Sequence, residues 1–126
     1  MPTFAELERD LVTAIREFDE GVASVRRSLR NAQPGERRGM FGHARYIAYW
    51  RWVAAEQLEL ARAARLRSQE HLRSARAALA RAVTQAEKIL RFTPHDRFFE
   101  NRFYSLEHLK LEALWIDAAG ALLEGD

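Results

Sequence analysis

Arginine is the residue whose number and spacing point most directly to chemistry in this chain. The 126 residues include twenty basic side chains, and only Lys88 and Lys110 among them are lysine. Guanidinium groups are planar forks that grip carboxylates or phosphates through paired N–H donors. At 100° per residue, Arg51, Arg62, Arg65, Arg73, Arg76 and Arg91 fall in one strip about 80° wide if they share a helix. Repeated cations along one face suit a phosphate backbone, which needs a rail rather than a single pocket. The plainer expectation is that acidic helices on either side neutralise the strip, within the fold or in an oligomer. A second basic element, Gly35–Gly42, sets Arg37 and Arg38 among three glycines just ahead of His43. Arginines beside helix-start amides can hold a phosphate group; the simpler role is a connector between two helices.

The other chemistry-bearing residue types form weaker patterns. The histidines are His43, His71, His95 and His108. A ferritin-like di-iron site needs a Glu three residues before a His on facing helices, and no such pair occurs. His108 and Glu112 share a face at four residues' spacing but have no further ligands in the sequence, while Glu56, Glu59, Glu17 and Glu20 read as solvated helix charges. The absence of cysteine excludes a disulfide framework, a thiol nucleophile and Cys-ligated metal. No metal, cofactor or small-molecule substrate is expected. Among the aromatics, Tyr46 and Trp50 lie on an apolar seam with Val53 and read as core. Tyr49 and Trp52 point elsewhere, toward a partner surface or a base-stacking platform.

These residues must be carried by helices. Apolar residues at 48% suffice for a core and charged residues at 30% for solubility, while three prolines and six glycines argue against a loop-rich chain. The net charge of +2 conceals an acidic–basic–acidic order: residues 1–25 balance to −4, residues 26–92 to +10, and residues 93–126 to −4. No run of about 18 uncharged apolar residues is present, and the acidic start Met1–Glu8 lacks the pattern of a signal peptide. A cytoplasmic location without membrane attachment is therefore expected.

Thr3 and Glu6 have capping-box spacing, and Phe4, Leu7, Leu11, Ala14, Phe18 and Val25 continue a helical stripe. The first helix is expected over residues 3–31, ending before Gln33-Pro34-Gly35, and residues 31–42 are expected to form a loop. Residues 43–92 contain neither proline nor glycine and are rich in helix formers, which predicts one central helix about 75 Å long. Thr93-Pro94 then starts a third helix over 94–123. The expected fold is all-α: one domain over residues 1–126, an elongated antiparallel three-helix bundle with coiled-coil-like packing along a long central helix. The third helix is apolar nearly all round. Phe99, Phe103, Leu106, Leu109, Ala113 and Ile116 make one stripe, and Tyr104, Leu111, Trp115, Ala118 and Leu122 make another. Three helices cannot bury both, so the second stripe predicts an interface with a protein partner or another copy.

The leading functional expectation is a non-catalytic helical assembly or adaptor subunit of a larger complex. The alternative is an accessory subunit that binds nucleic-acid backbones through the arginines. In size and basic helical character the chain is similar to the small subunits of CRISPR-type effector complexes, which would imply such a ribonucleoprotein role. A third reading comes from Arg102 and His108, whose spacing resembles that of HEPN-type ribonucleases; Arg38 and His43 have a similar spacing. That resemblance implies an arginine holding the scissile phosphate and a histidine in acid–base cleavage. Phe103 stands where a polar residue commonly follows the family's arginine.

Overall fold

In the computed structural model the described residues are 3–92 together with 112, 113, 116–118 and 120. Thr3 sets the first boundary. Its hydroxyl accepts from the Glu6 amide at 3.2 Å, its own amide donates to Glu6 Oε2 at 3.2 Å, and α1 runs from Phe4–Leu29. The chain turns within residues 30–33, and α2, Pro34–Leu66, begins at the proline. The loop expected over 31–42 is thus mostly helix. Proline lacks the N–H that a first-turn residue does not use, and its fixed φ is already helical, so it stops α1 and starts α2. Gly35, Gly39 and Gly42 sit inside α2 with open space around them.

The expected continuous helix over 43–92 is also corrected. It breaks at Arg67, which adopts a left-handed conformation (φ 49°, ψ 49°), and the chain doubles back as α3, Gln69–Phe92. The amides of Arg67 and Ser68 both donate to the Ala63 carbonyl. The Ser68 hydroxyl accepts from the His71 amide at 3.3 Å, as a cap on the new helix. A left-handed non-glycine residue costs about 1–2 kcal/mol. Each aliphatic side chain buried in the resulting hairpin returns a similar amount or more, so the fold-back outweighs local helix propensity.

The hairpin seam has heptad spacing. Leu72, Ala75, Leu79, Ala82, Ala86 and Ile89 of α3 are all buried, at steps of three and four. From α2 come Tyr46, Tyr49, Val53, Glu56, Leu60 and Ala63, at the same alternating steps. This is the pattern of an antiparallel coiled coil, and the alanines allow the two helices to approach closely. Among the described helices α1 packs antiparallel on α2: Gly21 lies against Ile47, and ion pairs join residue 8 to 62 and residue 19 to 51. The six described residues between 112 and 120 are helical. Ala113 and Ile116 enter the same core, Asp117 faces Arg76, and Gln69 donates to the Gly120 carbonyl, so this stretch runs antiparallel to α3. The rest of the expected helix over 94–123 lies outside the described residues. The chain is an all-α bundle, and none of its described helices is long and apolar enough to cross a membrane.

Candidate functional site

The break at Arg67 divides the arginine strip between two antiparallel helices, and most of its members acquire partners. Arg62 donates through Nε to Glu8 at 2.9 Å and through Nη1 to Glu59 at 3.2 Å. The Glu8 hydrogen bond holds its guanidinium pKa above the usual value against the cost of burial, with the charges of Glu59 and Glu8 adding to the rise. Glu59 Oε2 also lies 2.6 Å from His71 Nδ1, so one carboxylate links α2, α3 and, through Arg62, α1. Arg51 donates to Asp19 at 3.0 Å, Arg76 faces Asp117 at 3.5 Å, and the Arg65 guanidinium lies 5.2 Å from the Phe4 ring centre. Arg73 is exposed without a partner among the described residues, and Arg91 is exposed. The acidic neighbours expected to neutralise the strip do so at Arg51, Arg62 and Arg76.

In the segment expected to be a loop, Arg37 donates to the Leu29 carbonyl at 3.2 Å and so caps the end of α1. Arg38 and His43 are both exposed on α2; five residues apart, they lie about 140° from each other round the helix. Of the interface residues expected from the sequence, Ala118 is exposed. Tyr104, Leu111, Trp115 and Leu122 fall outside the described residues, as do Arg102 and His108. Among the described residues no group of three or more His, Asp or Glu side chains is placed to hold a metal ion.

Two features escape a reading of the sequence. The first is Glu56, expected in solvent but only 1% exposed. Gln57 Nε2 donates to Glu56 Oε2 at 2.6 Å and lies 3.4 Å from Glu112 Oε1, while Glu56 Oε1 has no partner among the described residues. Burial, then the hydrogen bond and charge of the Glu112 carboxyl, push the Glu56 pKa up to about 8 against a smaller lowering by Gln57. The Glu56 carboxyl is therefore held protonated at neutral pH. The sequence signal was the three-four step from Val53 to Glu56 to Leu60, legible only once α2 and α3 are separated. Tyr49, likewise read as outward-facing, is 2% exposed and belongs to this seam.

The second is a groove floored by α2 between α1 and α3. One part, about 750 Å³, is lined by Arg26, Arg27 and Arg30 of α1 with Arg51 and Trp52 of α2. It adjoins a part of about 450 Å³ that shares Arg51 and Trp52 and reaches Arg81 of α3. The Trp52 ring holds the Arg51 guanidinium at 4.2 Å and that of Arg81 at 4.7 Å. No family model matches the chain, and comparison with curated proteins and with solved structures finds no match.

Proposed function

We propose that the chain is a non-catalytic helical assembly subunit that acts through helix packing, its first partner being a second copy of itself. One observation carries this reading: α1, a 26-residue amphipathic helix, contains no fully buried residue. Leu11, Ile15, Phe18, Val22, Val25 and Leu29 are all half-covered, and Leu7 is 43% exposed; among the described helices α1 packs on α2. A stripe of that width is normally covered from both sides. Charge favours another copy as the cover, since α1 carries six acidic side chains against four arginines, a balance of −2, and the α2–α3 hairpin twelve basic against five acidic, a balance of +7. A subunit free of cysteine suits the cytoplasm, where we place it.

Light scattering on the purified 14.6 kDa chain tests this. A discrete multiple of that mass that loosens with salt is expected. A monomer at every concentration refutes self-assembly.

A second reading, binding to nucleic-acid backbones, is favoured by the cations left over after pairing. Arg38 and Arg73 stand exposed, without partners among the described residues. Gel-shift titration against a mixed oligonucleotide pool, at low and high salt, tests it.

A further inference from the structure

We propose that the groove between α1 and α3 is a binding site for single-stranded nucleic acid, with Arg26, Arg27 and Arg30 on one wall and Arg81 over Trp52 on the other. The inference rests on the second functional reading and moves its site away from the arginine strip. Arg26, Arg27, Arg30 and Arg81 are exposed, and none has an ion-pair partner among the described residues. Basic residues in the last turn of α1 complement its dipole, which accounts for cations there. The dipole does not account for Arg81, contributed by a different helix across the groove.

The chemistry selects the ligand. Arg27 and Arg30 lie about 4.5 Å apart along the axis of α1, so they meet successive charges on an extended strand rather than one compact anion. Trp52 orders the opposite wall: with Arg51 held by Asp19 at 3.0 Å on one side, the indole stacks the Arg81 guanidinium at 4.7 Å. The outer face of a stacked guanidinium is a platform for a nucleobase. An acidic peptide would use the charges but not the platform. A duplex would meet only the rim, because the cations lie inside the groove, on the α1 wall of its part of about 750 Å³ and on the α3 wall of the adjoining part of about 450 Å³.

The test uses the full chain and a short fluorescent oligo(dT), titrated at several salt concentrations, with a duplex of equal length and polyglutamate as competitors. Single-strand binding is expected, with log K falling against log salt at a slope of about −2 to −3, from about −0.7 per phosphate met by three or four arginines. The exposed double change Arg27→Glu/Arg30→Glu should weaken binding by about tenfold or more and flatten the slope, with helicity by circular dichroism unchanged. Arg81→Glu should do the same. Equal binding of duplex, or equal competition by polyglutamate, overturns the proposal. Loss of binding confined to Arg73→Glu/Arg76→Glu overturns the groove while leaving the second reading standing. No binding by the unaltered chain overturns both.

Discussion

Glu56 makes the stability of this bundle depend on pH in a direction opposite to that of most carboxylates. In the unfolded chain its pKa is near 4.5; in the fold, burial and the neighbouring Glu112 carboxyl push it up to about 8. Between those values the native state binds a proton that the unfolded chain releases, so raising pH favours unfolding. The contribution is fully present below about 4.5, declines through the interval, and is gone above about 8. At about 1.4 kcal/mol per pH unit, the full interval is worth up to roughly 5 kcal/mol. That is a large share of the stability of a small domain. Urea unfolding followed by helical circular dichroism at pH 5, 6, 7, 8 and 9 would measure it, and the midpoint should fall steadily toward alkaline pH. Glu56→Gln keeps the shape and hydrogen-bonding capacity of the protonated acid but cannot ionise. Its midpoint should stay nearly level from pH 5 to 9 and exceed that of the unaltered chain at pH 9. A flat profile for the unaltered chain, or the same slope in Glu56→Gln, would show that the buried carboxyl is not the origin. A single polar side chain in a heptad seam is also a means of fixing register, and Glu56 is the charged exception in that seam.

Two further outcomes follow from the hairpin. Leu79→Ala removes a side chain only 1% exposed from the centre of the seam. It should cost about 2–5 kcal/mol, measured as a lowered midpoint with unchanged denaturant dependence. Ser68→Ala deletes the hydroxyl that accepts from the His71 amide at the start of α3. The expected loss is about 1 kcal/mol, seen as a lower thermal midpoint; an unchanged midpoint would mean that the turn is held by the Ala63 carbonyl alone.

Much of the architecture was legible in local sequence because its causes are local. The Thr3–Glu6 box, the three-four repeat of α1 and the run of helix formers over residues 43–92 each depend on residues within a turn or two of one another. The turn at Pro34 was legible in part: proline must end a helix, yet it can begin the next one immediately, and the three glycines after it drew the boundary too late. The Arg67 break was not legible. Arginine carries no intrinsic preference for a left-handed conformation, and residues 43–92 are good helix formers throughout. Only the burial gained when the Leu72–Ile89 seam meets the Tyr46–Ala63 seam outweighs that propensity. The roles of the arginines followed from both turns. As one helix, residues 43–92 would align them on a single strip. The turn ahead of Pro34 gives Arg62 to Glu8 and Arg51 to Asp19, and the break at Arg67 sets Arg81 on Trp52, in the far wall of a groove whose other wall is α1. Sequence alone determined that this chain is helical and where its charge lies; tertiary structure decided which charges meet, because partners 32 to 54 residues apart become neighbours only after the chain reverses.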